Sequence, residues 1–148
     1  MKTVGVVNRN ASARMIHQIP KVLSKTKAQT IGKLIAKREF TEPLIEPLVH
    51  RVSSIVDISL AHPAYAKVEH KHDGHPWHTD TGNQQHMSWC RWTATVLLTD
   101  TFEGGELFFR NLKGPVDNYL NLLIYSSDEE HRVNPHEGDR HVLLMFFT

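Results

Sequence analysis

The spacing of apolar positions predicts a helix in the first part of the chain. In IPKVLSKTKAQTIGKLIAK, residues 19–37, the apolar residues Leu23, Ile31, Leu34 and Ile35 fall near one face of a helix. Ser24 precedes this pattern and can cap it, because a serine oxygen accepts a hydrogen bond from the first exposed amides of a helix. A short strand-like run comes just before. The apolar face of this helix needs a partner surface.

A second helix is predicted in TEPLIEPLVHRVSSIV, residues 41–56. Thr41 can cap it, and Pro43 fits a first turn, where the missing amide hydrogen costs nothing. Pro47 lies one turn further on, and it predicts a late or irregular start.

From about residue 58 the pattern changes to short runs rich in branched and aromatic residues, separated by Gly, Asp, Asn and Pro. These runs are SLAHPAYAKV, WTATVLL, ELFFR, NYLNLLIYS and HVLLMFF. They follow the helices instead of alternating with them, which favours a β-sandwich or barrel with helices packed outside over a parallel sheet. We therefore predict a mainly β protein with N-terminal helices (α+β), and one domain over residues 1–148.

Composition adds limits to this picture. A chain of 148 residues matches one domain of common size. No apolar run approaches the roughly 18 residues of a membrane span. The single cysteine, Cys90, cannot form an intramolecular disulfide and is interpreted as a small buried side chain. The first ten residues, MKTVGVVNRN, lack the apolar core of a secretory signal, so a cytoplasmic location is expected.

Charge is distributed unevenly along the chain. Residues 1–38 carry a net charge of +9, and residues 39–148 carry −8. The basic part coincides with the first predicted helix, which favours a solvated helix face. A patch that steers the substrate, or one that binds nucleic acid, is the alternative.

The stretch HPWHTDTG, residues 75–82, carries candidate metal ligands. Residues two apart on a strand point to the same face, so His78 and Asp80 can present a nitrogen and an oxygen to one ion. The third ligand is best sought at His131, which begins another predicted strand. Two histidines and one carboxylate with open positions form the ligand set of non-haem Fe(II) oxygenases. A structural zinc site would need a fourth ligand, for which the spacing of His75, His86 or His136 gives no special reason.

Taken in order, these segments resemble the 2-oxoglutarate- and Fe(II)-dependent dioxygenases, in their prolyl 4-hydroxylase-like branch. His78-Thr79-Asp80 resembles the family's His-x-Asp motif, and TFEGGELFF, residues 101–109, resembles its Gly-Gly-Glu-Leu turn and strand. NLLIYSSDEEHRV resembles the strand that leads into the distal histidine, here His131. Arg140, nine residues later, resembles the arginine that binds 2-oxoglutarate. The resemblance covers most of the chain from about residue 16.

The resemblance implies a double-stranded β-helix, a distorted jelly roll of the cupin-like kind, with iron between its sheets. His78, Asp80 and His131 would bind Fe(II), and Arg140 would bind the far carboxylate of the cosubstrate 2-oxoglutarate. Oxygen is the second cosubstrate, and ascorbate is a candidate reductant. A carboxylate at position 80 favours hydroxylation, because halogenating relatives have a small residue there.

The implied activity is hydroxylation of an amino-acid side chain with release of succinate and CO2. The expected substrate is a prolyl residue of a peptide or protein, with a free amino acid or similar metabolite as the alternative. An oxidative nucleic-acid demethylase is less favoured, because only Arg140 fits the family's arginines after the distal histidine. A non-catalytic module that senses 2-oxoglutarate and iron is the second alternative. The sequence predicts no oligomeric state.

Some positions depart from the family pattern. His75 and Leu97 stand where many members carry tyrosines that contact 2-oxoglutarate, which leaves Tyr65, Thr95 or Tyr125 as sources of a hydroxyl. Gly104 and Gly105 are interpreted as a turn.

The remaining histidines and the tryptophans are given structural interpretations. The histidines are predicted to be exposed loop residues, with substrate contact or a second metal as alternatives; they are His62, His70, His72, His75, His86 and His136. Trp77, Trp89 and Trp92 are predicted to pack in the core, with the wall of a substrate groove as the alternative.

Overall fold

The structure is a computed structural model that describes residues 16–36, 42–59, 65–80 and 88–148. Within these ranges the chain forms two helices and eleven strands. Their order is β1 (Ile16–Ile19), α1 (Lys25–Ala36), α2 (Glu42–Ser53), β2 (Tyr65–Glu69), β3 (His75–His78), β4 (Trp92–Leu97), β5 (Thr101–Gly104), β6 (Leu107–Phe109), β7 (Pro115–Val116), β8 (Leu122–Ser126), β9 (His131–Val133), β10 (His136–Asp139) and β11 (Val142–Phe147).

The first helix begins at Lys25, directly after the predicted cap Ser24. The hydroxyl oxygen of Ser24 accepts a hydrogen bond of 3.1 Å from the backbone amide of Lys27, which is the contact that defines an N-cap. Ile31 is buried, as is Ala28 one turn earlier, while Leu34 is half-buried. The side chain of Ile35 lies outside the described part of the chain. This face packs on the larger sheet.

The second helix starts earlier than Pro47 predicts. It begins at Glu42, and Pro47 lies inside it, so the predicted late start is wrong. A proline this close to the N-terminus removes only one early backbone hydrogen bond. The buried residues Ile45, Leu48 and Val52 face the core along the length of the helix, and the first two hold its early turns in place. The predicted cap, Thr41, lies outside the described residues.

Two antiparallel sheets and a separate strand pair make up the β structure. The larger sheet has the strand order β1-β8-β4-β11-β2, and the smaller has the order β3-β9-β6-β7. β5 and β10 pair with each other. The predicted strands at WTATVLL, ELFFR and HVLLMFF are confirmed, and that at NYLNLLIYS is confirmed for its second part, Leu122–Ser126. Residues 60–64 of the first predicted strand lie outside the described residues.

Alternation along β11 gives the larger sheet two different faces. Leu143, Met145 and Phe147 point to the core that the helices cover. Val142, Leu144 and Phe146 point to the other side and line a cavity. This period of two is the expected result of a strand that is covered on both faces.

A second apolar cluster joins the two sheets. Ile16, Leu123 and Tyr125 of the larger sheet pack against Leu107 and Phe109 of the smaller one. The cavity beside this cluster has a volume of about 450 Å³ and is lined by strands of both sheets. The space between the sheets is therefore partly core and partly open pocket.

Two further sequence expectations concern single features. Cys90 is buried, as predicted, and burial raises the pKa of its thiol to about 11. Neither of the two described helices has the length and apolar character needed to cross a bilayer.

Candidate metal and cosubstrate site

Three predicted ligands meet at one end of the smaller sheet. His78 ends β3, His131 begins β9, and the two residues are direct cross-strand partners. Asp80 follows two positions after His78, and its Oδ1 lies 3.5 Å from the Nε2 of each histidine. The ligating atoms of all three residues lie within 4.8 Å of one another. The structure thus brings together the three residues that the sequence selects.

Both histidines are oriented by backbone carbonyls. Nδ1 of His78 donates to the carbonyl oxygen of Pro76 at 2.8 Å, and Nδ1 of His131 donates to that of Glu129 at 2.9 Å. A carbonyl can only accept, so in each neutral ring the hydrogen is on Nδ1 and Nε2 carries the lone pair. This arrangement of an outer hydrogen bond behind a ligating nitrogen is typical of metal-binding histidines.

The carboxylate of Asp80 is held from behind by two hydroxyl groups. Its Oδ2 accepts hydrogen bonds from Thr93 Oγ1 at 2.9 Å and from the hydroxyl of Tyr125 at 3.2 Å. Its backbone amide donates to the carbonyl oxygen of Ser127 at 2.9 Å. Oδ1 therefore faces the two histidines. Tyr125 is one of the three predicted candidates for contact with 2-oxoglutarate, but its hydroxyl donates its hydrogen bond to Asp80.

Electrostatics keep this carboxylate charged. Burial would raise the pKa of Asp80, but the facing imidazoles of His131 and His78 and the Thr93 hydroxyl lower it well below its ordinary value. The facing Asp80 carboxylate in turn raises the pKa of His78 against the effect of burial. Two imidazole nitrogens and one carboxylate oxygen fit a divalent iron ion that keeps other positions open.

Arg140 lies in the same cavity as these three residues. Its side chain is buried, and its Nε donates to the carbonyl oxygen of Gly105 at 3.1 Å. Burial lowers the pKa of Arg140, while the charges of Glu69 and Glu106 oppose the change. An arginine remains protonated under such conditions. The cavity therefore holds a fixed positive charge as well as the candidate metal ligands.

The glycine turn is shaped around this arginine. Gly104 ends β5 and Gly105 begins the connection to β6; their φ angles are 79° and 70°, a region that favours glycine. A Cβ atom on Gly105 would lie 2.7 Å from Cδ of Arg140. Only glycine leaves room for the arginine stem at this position.

Thr95 lines the cavity with a hydroxyl that makes no hydrogen bond to the described residues. It is buried and lines the pocket, and its Oγ1 has no hydrogen-bond partner among the described residues. Thr93 and Thr95 alternate with the core residues Ala94 and Val96 on β4. Two threonines at a spacing of two in an otherwise apolar strand are the sequence signal for a polar face, and this signal would also have found Thr93.

Several cavity residues differ from their sequence interpretation. His75, at the family's tyrosine position, is hydrogen-bonded to Glu69, and both line the cavity. Sequence reasoning missed Glu69 because a single glutamate at a strand end carries no signal. Leu97 is buried at the end of β4. The side chain of Tyr65 is outside the described part of the chain.

The exposure of the histidines and tryptophans requires corrections. His136 is only 5% exposed, so its prediction as an exposed loop residue is wrong, whereas His70 and His72 are exposed as predicted. His62 and His86 lie outside the described residues. Trp77 and Trp89 are 38% and 40% exposed, which contradicts core packing, and Trp89 lines the cavity. Trp92 packs against the core beneath the helices, as predicted.

Comparison with known proteins places this architecture among solved structures. The viral collagen prolyl hydroxylase from Paramecium Bursaria Chlorella virus-1, in its 2-oxoglutarate complex, superposes with a TM-score of 0.65 at 11% sequence identity, over 89% of this chain and 94% of the viral one. A prolyl-4-hydroxylase from Pseudomonas putida gives a TM-score of 0.65 at 14% identity, over 93% of this chain and 86% of the bacterial one. No protein-family model matches the chain, and no curated protein matches it.

These likenesses define the fold. The chain has the jelly-roll architecture of 2-oxoglutarate oxygenases, with two antiparallel sheets around a pocket and helices outside the larger sheet. The predicted fold class is thereby confirmed.

Proposed function

We propose that this protein is an Fe(II)- and 2-oxoglutarate-dependent dioxygenase that hydroxylates a prolyl residue of a peptide or protein. The observation that carries the proposal is the shared cavity of about 450 Å³, which holds His78, Asp80 and His131 together with the buried Arg140. The names of the two similar structures, a collagen prolyl hydroxylase and a prolyl-4-hydroxylase, support the substrate class.

Iron would be held by Nε2 of His78, Oδ1 of Asp80 and Nε2 of His131. When bound, iron with 2-oxoglutarate and O2 supplies the oxidising power that inserts one oxygen atom into a C–H bond, while 2-oxoglutarate leaves as succinate and CO2. The protein's part is to orient the ligands. The carbonyls behind the two histidines and the hydroxyls behind Asp80 fix the three donor atoms before the ion arrives.

Arg140 and Thr95 would position the cosubstrate. The planar guanidinium can donate two parallel hydrogen bonds to the far carboxylate of 2-oxoglutarate, a charged contact that contributes about 1.5–3 kcal/mol in all. The Thr95 hydroxyl, which has no partner among the described residues, can donate a further one. Apolar side chains of β11 form the adjacent wall and exclude water.

Trp89 supports the binding of a ring-shaped side chain. It lines the cavity and yet is 40% exposed, so it lies where the pocket opens to solvent. An indole face gives a proline ring a broad apolar surface to pack on.

The decisive experiment measures turnover directly. Iron-loaded protein is incubated with 2-oxoglutarate and O2, with and without proline-containing peptides, and succinate and a peptide mass gain of one oxygen atom are recorded. We expect both, in equal amounts. Absence of succinate under every condition would instead indicate a non-catalytic binding module.

The role of Arg140 is tested by separating cosubstrate affinity from metal affinity. Arg140→Ala should weaken 2-oxoglutarate about 10- to 150-fold, which corresponds to the loss of about 1.5–3 kcal/mol, and leave metal affinity unchanged. Arg110→Ala is the matched control, because Arg110 is half-exposed and paired with Glu130. Equal loss of metal and cosubstrate binding in Arg140→Ala would contradict the assignment.

A further inference from the structure

A second group of histidines lies outside the lining of the cavity. His70 and His72 belong to the connection between β2 and β3, and His136 begins β10. The backbone amide of His136 donates to the carbonyl oxygen of His72 at 2.9 Å, which fixes the connection against β10. One nitrogen from each ring can be chosen so that all three lie within 4.8 Å of one another.

The rings form a compact cluster. The ring centres of His70 and His72 are 4.4 Å apart, those of His72 and His136 are 4.7 Å apart, and those of His70 and His136 are 5.7 Å apart. Three imidazoles at this spacing are unfavourable if protonated, because their like charges repel. As neutral rings, they place several nitrogen lone pairs around one point.

The ring nitrogens of His136 have no hydrogen-bond partner among the described residues. Its side chain is only 5% exposed, and neither Nδ1 nor Nε2 has a hydrogen-bond partner among the described residues. Buried polar atoms are nearly always paired, so a buried ring with no hydrogen-bond partner has a nitrogen available for a ligand, and an ion would be bound by one of its two nitrogens. The exposed rings of His70 and His72 leave this ring accessible to an ion from solvent.

We propose that His70, His72 and His136 form a second metal site, separate from the His78, Asp80 and His131 group, that binds a divalent transition-metal ion of the Zn²⁺ type. Imidazole nitrogens suit Zn²⁺ and similar ions, whereas Mg²⁺ and Ca²⁺ prefer oxygen ligands. Three histidines leave one tetrahedral position for water. This proposal does not depend on the proposed oxidation chemistry.

A competing ligand set shares one residue with this site. His70, Asp139 and His141 also have ligating atoms within 4.8 Å of one another. The two unpaired buried nitrogens belong to His136, which is absent from that set, so the structure favours the three-histidine group.

The position of the site suggests its role. It would join the connection that leads into β3 and His78 to the strand β10 that leads into Arg140. A Cβ atom on Gly105 would lie 3.2 Å from Cβ of His136 and 2.7 Å from Cδ of Arg140, so His136 lies beside the arginine that faces the cavity. A metal here would stabilise the frame that carries both halves of the candidate active site.

The test is calorimetric titration of tag-free, metal-free protein with Zn²⁺. We expect two equivalents for the unmodified chain, one for His72→Ala and one for His78→Ala, because each change removes a ligand from a different site. His72 is exposed, so its replacement leaves the core intact. His50→Ala is the control, since His50 is an exposed histidine on α2, and it should retain two equivalents.

Thermal unfolding gives a second readout. Zn²⁺ should raise the melting temperature of His78→Ala, and the shift should disappear in His72→Ala/His78→Ala. Binding of only one equivalent by the unmodified chain, lost in His78→Ala, would overturn the second site. Retention of both equivalents in His72→Ala, with loss of one in Asp139→Ala/His141→Ala, would also overturn it.

Discussion

At the scale of single residues, two threonines on β4 have different surroundings although they share one face. The Thr93 hydroxyl donates to Asp80, whereas the Thr95 hydroxyl has no partner among the described residues. A buried hydroxyl without a partner destabilises the protein by about 1–3 kcal/mol. Its retention beside Arg140 and the metal ligands is explained if a ligand accepts its hydrogen.

Thr95→Val tests this explanation, because valine has nearly the same shape and lacks the hydroxyl. We expect 2-oxoglutarate affinity to fall about 2- to 10-fold, since a neutral hydrogen bond contributes about 0.5–1.5 kcal/mol. The ligand-free protein should become more stable, because an unpaired polar atom is removed. Calorimetry and urea unfolding measure the two effects. Unchanged affinity would exclude Thr95 as a cosubstrate donor.

Sequence reasoning finds residues that belong to an ordered motif and misses those defined only by packing. His78, Asp80, His131 and Arg140 stand out because their order and spacing resemble a family pattern, and the structure places all four at one cavity. Glu69 enters the cavity through strand pairing across distant parts of the chain, which one sequence does not display. His136 is likewise brought against the distant His72 by the folded backbone, which one sequence does not display.

At the scale of elements, the longer strands are predicted because they are short runs rich in branched and aromatic residues, which is typical of strands covered on both faces. The helix start at Glu42 is missed because local proline chemistry is outweighed by burial of one helix face. Glycines predict the positions of turns, but the sequence does not reveal which neighbouring atoms a side chain would meet at each glycine. The Gly104-Gly105 turn exists for two reasons, a positive φ and the space occupied by the Arg140 stem.

Gly105→Ala, compared with a control glycine, distinguishes the effect of backbone strain from the effect of displacing Arg140. The added methyl group would displace Arg140, so we expect 2-oxoglutarate affinity to fall at least about 10-fold, as in Arg140→Ala, while metal affinity is retained. Gly114→Ala is the matched control. Its φ is 73° and a Cβ there would meet no atom within 4 Å, so it carries the backbone strain of about 1–2 kcal/mol without touching the arginine.

Calorimetry with a redox-inactive divalent ion in the first site measures both variants. Similar losses of 2-oxoglutarate affinity in Gly105→Ala and Gly114→Ala would show that general destabilisation, and not displacement of Arg140, is responsible.

At the scale of the whole molecule, the candidate site spans two sheets. His78 and His131 belong to the smaller sheet, whereas Arg140 lies between β10 and β11, two residues before the start of β11 in the larger sheet. A ligand that contacts both the metal and Arg140 would therefore connect the sheets. Binding and global stability should be coupled for this reason.

We expect an unreactive analogue, N-oxalylglycine, to stabilise the protein strongly only when a divalent ion occupies the first site. At 100 times its dissociation constant the analogue should add about 2.7 kcal/mol, or about 5–10 °C in melting temperature for a chain of this size. Differential scanning fluorimetry with Mn²⁺ measures the shift. His78→Ala should lose most of it, and an equal shift in the absence of metal would contradict a ligand that bridges metal and arginine.

The two faces of β11 also determine how the protein would respond to substitutions and to changes in the length of this strand. Exchanging Val142, Leu144 or Phe146 reshapes the pocket and leaves the neighbouring side chains under the helices untouched. Insertion or deletion of one residue in this strand would instead turn cavity-facing side chains toward the core and core-facing side chains toward the cavity. Point substitutions at these three positions should therefore change the cavity alone, whereas a change in the length of β11 should disturb the cavity and the core together.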